Sequence, residues 1–343
     1  MEHQRRNTQS GGDEMNTFRL YINNDEEVFL TIAVATAAFS FNSCSKDDAL
    51  QKDSDKYITI STGIAGMTHV STGPEGSQSF EEGDVISIYV WTWTDKEGKI
   101  IAPGKDERLV DNSHNTLSNS SWIAEPRMLW ENMWNKHYFI GVYPAIARGE
   151  GLDDDLTRYA YTLKPAEEET SDLLVAVETD GILAGYGTVP LKFTHAMAKV
   201  NVNLTFRNQW GVDENDNNVI PEVDSVYLAD AAGKATVNLL SKKVTPDEKS
   251  RGNQTLPEVA ENTRYSSIVI PQEKVNKVTV VIGGKNYTYT HSSYIVFAGG
   301  KVTTINLSVG RNVTTLSGVT VDPWEESDAP ISGDADLELT KPA

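Results

Sequence analysis

From residue 57 onward, apolar and polar positions alternate in short runs with a period close to two, the spacing of a strand rather than of a helix. The run KYITIST (56–62) alternates. In DVISIYVWTW (84–93), Val85, Ser87, Tyr89 and Trp91 fall on one face of an extended chain and Ile86, Ile88 and Val90 on the other. HYFIGVYPA (137–145) follows. The second half repeats the style in PLKFTHAMAKVNVNLTF (190–206), VDSVYLADA (223–231), GKATVNLL (233–240), SSIVIPQ (266–272), KVTVVIGGKNYTYT (277–290), GGKVTTINLSV (299–309) and LSGVTVDPW (316–324). Turn chemistry such as PEGS, EEGD, KEGK and RGEG separates the runs. The only helix expected is a brief one within 126–135. Strands of this length and spacing predict an all-β chain of sandwiches rather than a doubly wound sheet. Two sandwich domains in tandem fit 343 residues, with a boundary in the loop DGILAGYGTV (180–189). The N-terminal domain then covers 57–188 and the C-terminal domain 189–343.

Ahead of the strands stands VFLTIAVATAAFSF (28–41), fourteen residues without a charge. A helix needs about 20 residues to cross a bilayer core, so this run is too short to span and matches the apolar part of a secretory signal peptide. It leads into Cys44, the one cysteine of the chain. A single thiol can form no internal disulfide and no thiolate metal site. With Ser43 before it, Cys44 resembles a lipobox cysteine, the lipid attachment point of a lipoprotein. Residues 1–43 are then the signal peptide, and Met15 is a candidate true start because Arg19 is the only cation between it and the apolar run. A flexible polar tether follows over 44–56. Its acidic pair, Asp47 and Asp48, resembles the signal that sends lipoproteins of Bacteroides-type bacteria to the exterior of the outer membrane. The other reading of this region is a buried N-terminal helix with a free thiol.

Charge narrows the partners. With 30 basic and 49 acidic residues the chain carries −19, which argues against nucleic acid and anionic membrane surfaces as partners. At 39% hydrophobic and 23% charged residues, a folded body is expected rather than disorder.

At the level of motifs, DLLVA (172–176), VPLKFTHAMAKVNVNL (189–204), SSIVIPQ (266–272), FAGGKVTTINLSV (297–309) and VTVDPW (319–324) together resemble the fimbrillin superfamily, the pilin-like lipoproteins of type V pili in Bacteroidia. The core F-x-H-x-x-A-K, carried by Phe193, His195, Ala198 and Lys199, is the most specific piece. The resemblance runs from the lipobox to Trp324. It implies two transthyretin-like β-sandwiches in a subunit that reaches the surface as a lipoprotein. It also implies arginine-specific trimming of the N-terminal segment, which opens a groove that an extended strand of a neighbouring subunit fills. Such strand addition satisfies an open edge's N–H and C=O groups. The tail GDADLELTKPA offers Ala335, Leu337 and Leu339 at period two as a candidate donor strand, against the reading of a frayed polar end. One departure stands out: no arginine lies between Cys44 and Arg108, where Lys46, Lys52 and Lys56 are the early cations. A retained lipid and an anchor at the base, an accessory subunit, and trimming by a lysine-tolerant protease all remain open.

Enzymatic and cofactor chemistry find little support. His3, His69, His114, His137, His195 and His291 are not at metal-ligand spacing, and His195, flanked by alternating apolar residues, reads as a hydrogen-bonded structural histidine. There is no nucleophile elbow, P-loop or dinucleotide fingerprint. The acidic loop DENDNN (213–218) lacks the glycine and terminal glutamate of an EF-hand and reads as a solvated hairpin. No catalytic residue, metal or cofactor is therefore assigned. The tryptophans Trp91, Trp93, Trp122, Trp130 and Trp134 leave two readings, sandwich core or a platform for sugar rings, with Trp91 and Trp93 as the candidate platform. The expectation is a non-enzymatic surface subunit or anchor of fimbriae that serves adhesion, partnered with other subunits by strand exchange and with the outer membrane through its lipid. The alternative is a stand-alone surface lipoprotein that binds a glycan or a host protein.

Overall fold

A computed structural model describes residues 56–64, 79–94, 97–148, 155–185, 187–311, 315–323 and 332–337, the last two stretches by their backbone. Residues 1–43, Cys44, Asp47, Asp48, most of the tether, His3, His69 and Leu339 lie outside the described residues.

The strands are, in chain order, β1 (Thr59–Ile64), β2 (Val85–Trp91), β3 (Val110–Ser118), β4 (Ser121–Glu125), β5 (His137–Tyr143), β6 (Tyr159–Thr162), β7 (Leu174–Ile182) and β8 (Thr188–His195). They continue as β9 (Ala198–Phe206), β10 (Ser225–Ala232), β11 (Lys234–Asn238), β12 (Lys243–Pro246), β13 (Arg251–Leu256), β14 (Glu258–Ala260), β15 (Arg264–Val269) and β16 (Gln272–Ile282). The last are β17 (Lys285–Phe297), β18 (Lys301–Val309), β19 (Thr315–Pro323) and β20 (Ser332–Leu337). The chain is all-β, as its periodicity predicts; among the described residues the one α-helical turn is α1 (Glu168–Ser171). The helix expected within 126–135 does not form. There the Asn132 side-chain oxygen accepts the backbone N–H groups of Trp134 and Asn135, at 3.0 and 2.7 Å, and this local turn takes donors that a helix would have used.

Seven strands make the first sheet, in the order β1-β8-β7-β5-β2-β3-β4. The alternation of β2 explains why the sheet is buried on both faces. Ile86, Ile88 and Val90 join Phe139, Ala176, Val189, Leu191 and Phe193 in one core, while Tyr89 and Trp91 join Ile140, Val142 and Val175 in another. The first core lies inside the curl of the sheet, whose two edges approach each other. Trp122 Nε1 in β4 donates to Thr62 Oγ1 in β1 at 3.0 Å, and Ile58 N just before β1 donates to Met128 O at 2.9 Å. Phe80 sits in the opening, edge-on to Trp122, Tyr143 and Phe193. Gly141 in β5 makes room for Phe193: a Cβ there would lie 2.7 Å from its ring.

A three-stranded sheet, β12-β11-β6, covers the second core with Tyr161, Ala235, Val237 and Leu239. It draws β6 from the first half of the chain and β11 and β12 from the second, so this core belongs to both. The remaining strands form a ten-stranded sheet, β13-β10-β16-β17-β20-β19-β18-β9-β15-β14, wrapped around a third core that includes Val200, Val202, Leu228, Val278, Val280, Ile305 and Leu307. Its outermost strands, β13 and β14, are consecutive in the chain on either side of Pro257, and the Pro257 carbonyl accepts from Ser266 N at 2.9 Å. The chain passes from the first sheet to the ten-stranded one at Ala196–Met197, and β8, expected at the head of the second half, pairs with β7 and β1.

Candidate functional site

Three places in this fold hold the residues that the sequence singles out. The first is the crossover between β8 and β9, where the F-x-H-x-x-A-K residues lie. Phe193 enters the core of the first sheet and Ala198 the core of the ten-stranded one. Between them, His195 Nδ1 and Asp172 Oδ1 are 2.9 Å apart, with the imidazole largely buried. His195 is thus a structural histidine held by a carboxylate of the DLLVA run. Lys199 stands opposite Ile268 of β15 on one side and Val302 of β18 on the other, so the start of β9 is clamped between two other motif pieces. The glycines of FAGGK close the arrangement. Gly300 N donates to Met197 O at 2.8 Å, and a Cβ on Gly299 would lie 2.8 Å from the Ala196 carbonyl oxygen. Lys242, beyond β11, donates from Nζ to Thr194 Oγ1 at 2.9 Å, and burial pushes its pKa down. The motif pieces that are scattered in sequence therefore meet at one junction, and their shared role is to fix the passage between sheets.

The second place is the outer edge formed by β1. It pairs in parallel with β8, from Thr59 opposite Thr188 to Ile64 opposite Phe193. Ile58 and Ile60 point into the core inside the curl, where both are buried. The third place is the seam filled by β20. Its first residues run parallel to β18, with Ala335 opposite Val309, and its last run antiparallel to β17, with Leu337 opposite Tyr287. It also pairs with β19 through Gly333 and Asp334. The described part of the tail that the sequence offers as a donor strand, as far as Leu337, is here a strand of the chain's own sheet.

The candidate platform does not hold. Trp91 is wholly buried and packs against Tyr138 with ring centroids 6.0 Å apart, and Trp93 packs partly buried against the same core. A ring as enclosed as Trp91 has no face to offer to a sugar, so the pair cannot form the platform; Trp91 serves as core, with Trp93 packed against it. The acidic loop is a hairpin closed by Val212 opposite Asn218, in which the Asp213 carboxylate accepts the N–H groups of Asn215 and Asn217 and is held below the usual carboxylate range. Among the described residues no three His, Cys, Asp or Glu side chains converge on a common point.

A family model described as Fimbrillin-like matches residues 68–324, which runs from β2 through the crossover and the ten-stranded sheet as far as β19 and leaves out β1. The chain belongs to the fimbrillin-like family. Solved structures agree on the fold. A candidate cell adhesion protein of Bacteroides uniformis superposes with a TM-score of 0.53 at 17% identity, covering 78% of this chain and 96% of its own. A second, from Bacteroides ovatus, gives 0.53 at 17% identity, covering 83% of this chain and 99% of its own. No curated protein matches the chain. As a fimbrillin-like protein it has a place among fimbrial proteins. The sequence already contains the motif residues of the junction; it gives no sign that Gly141 and Gly299 are steric necessities, because the atoms they clear come from strands far away in the chain.

Proposed function

We propose that this chain is a subunit or anchor of a surface fimbria, carried to the outer face of the outer membrane by a lipid on Cys44 with Asp47 and Asp48 as its export signal, and linked to like subunits by strand exchange. The observation that carries the reading is β1. It is an edge strand whose one strand partner is the parallel β8, yet Ile60 within it and Ile58 just before it fill the core. Cleavage that releases β1 would uncover the apolar floor of the curl; two buried isoleucines correspond to roughly 3–6 kcal/mol of lost burial, enough to favour a replacement strand. The pairing of Ala335 and Leu337 in β20 supports a tail competent to act as that strand, with Leu339 next in the alternation.

Two experiments test the two parts. Brief proteolysis that removes β1, followed by gel electrophoresis in detergent without boiling, should give a ladder of oligomers, and a chain ended after residue 331 should give none. A monomer band alone from the trimmed full-length protein overturns strand exchange. Cys44→Ser should release the protein from the membrane fraction, and unchanged fractionation overturns the anchor.

A further inference from the structure

We propose that the loop between β4 and β5, with Trp134 as its platform, binds the neutral pyranose rings of a glycan. This goes beyond the fimbrial reading and does not depend on it. Trp134 is 80% exposed, the most exposed of the large apolar residues described. Met133, 51% exposed, extends the apolar strip towards the β7–β8 loop, where its methyl lies 3.4 Å from the position a Cβ on Gly185 would take; Leu183 on that loop is exposed as well.

The indole is exposed on a loop that is itself tied down. Asn132 Oδ1 accepts the backbone N–H of Trp134 and of Asn135, as described above. The side-chain amides of Asn132 and Asn135 donate to the same Glu131 oxygen, at 3.1 and 3.0 Å. Glu131 N donates to Nε2 of the buried His137 at 3.1 Å, and Lys136 Nζ donates to Asp180 O at 2.8 Å. The backbone that carries the ring is thus ordered before a ligand arrives, which lowers the ordering cost of binding.

The surrounding chemistry selects the ligand class. The indole face suits the C–H face of a pyranose, and each Asn amide has a second hydrogen to give to a hydroxyl. The Glu131 carboxylate, whose pKa is lowered chiefly by its hydrogen bond from Asn135, is an ionised acceptor for hydroxyl protons. The charge of −19 repels phosphate-rich surfaces and acidic glycans alike. A cationic ligand would call for a cage of several rings, whereas the neighbouring Trp130 is turned inward, edge-on to His137 and Phe139 at 4.7 and 6.1 Å.

The test is calorimetric titration of the purified chain with neutral gluco-, galacto- and manno-configured oligosaccharides. At least one should bind, and Trp134→Ala should weaken it by about tenfold or more, the loss of one stacked ring, with the urea midpoint unchanged. In the unmodified chain, N-bromosuccinimide should oxidise Trp134 first, and the bound oligosaccharide should protect it, a readout independent of any variant. Absence of binding by all three classes at millimolar concentration overturns the proposal. So does binding that Trp134→Ala leaves intact, or a Trp134-dependent self-association in sedimentation.

Discussion

Replacing Gly299 by alanine asks whether the junction between the sheets is as tightly closed as its geometry indicates. The added Cβ would stand 2.8 Å from the Ala196 carbonyl oxygen and 3.6 Å from Pro271 Cγ. Ordinary carbon–oxygen contacts begin near 3.3 Å, so about half an ångström must be found. The oxygen cannot yield freely, because the next carbonyl, that of Met197, takes the Gly300 N–H at 2.8 Å and β9 is paired on both sides immediately afterwards. Overpacking of a pinned site costs about 2–3 kcal/mol. Loss of glycine's freedom in the unfolded chain offsets about 0.4–1 kcal/mol of that, leaving a net destabilisation of about 1–2.6 kcal/mol. Gly252 in β13 is the control: nothing lies within 4 Å of the same added atom, so Gly252→Ala should be neutral or mildly stabilising. Urea unfolding followed by tryptophan fluorescence and far-ultraviolet circular dichroism, with coincident transitions and unchanged slope, measures both. If Gly299→Ala proves as stable as Gly252→Ala, the junction has slack and the steric argument fails.

Trp91→Ala should cost about 3–5 kcal/mol in the same assay, whereas Trp134→Ala should stay within about 0.5 kcal/mol; equal effects would contradict their assignment to core and surface. Asp172→Ala leaves the largely buried His195 ring without its carboxylate and should destabilise by about 1–3 kcal/mol, and a neutral result would refute the structural role of that contact. Burial lowers the pKa of His137 below its usual 6.5, so the unfolded chain binds more protons and stability should fall as pH drops through that value; His137→Gln should remove this part of the slope between pH 7 and pH 5, and an unaltered slope would refute it. The Glu248 carboxylate, which accepts from Arg251 and Lys274, is held at about 2, and a midpoint near 4.5 in an NMR titration would exclude that arrangement.

Periodicity was a sound guide wherever a strand has one buried face or two. The split of β2 into Tyr89 and Trp91 on one side and Ile86, Ile88 and Val90 on the other is read directly from the alternation. It failed where side chains compete with the backbone, as at Asn132, whose turn replaces the expected helix. It was also silent on which layer covers which face. Nothing local to KATVN indicates that β11 will pair with β6, or that Trp91 will be closed over by that sheet instead of standing free. The aromatic content of the first half offers Trp91 and Trp93 as a platform, whereas the ring that stands exposed is Trp134, in the Asn-containing run WENMWNK (130–136) and not in the regular strand that carries Trp91.

The core under the three-stranded sheet has a mechanical consequence. Because Trp91 and Ile140 from early in the chain share it with Val237 and Ile270 from much later, the chain is not two beads joined by a swivel. A pull that separates the early and late halves of the described body meets no slack connector at this core and must break its packed apolar contacts. Load on the described body therefore passes through it as through a single stiff link.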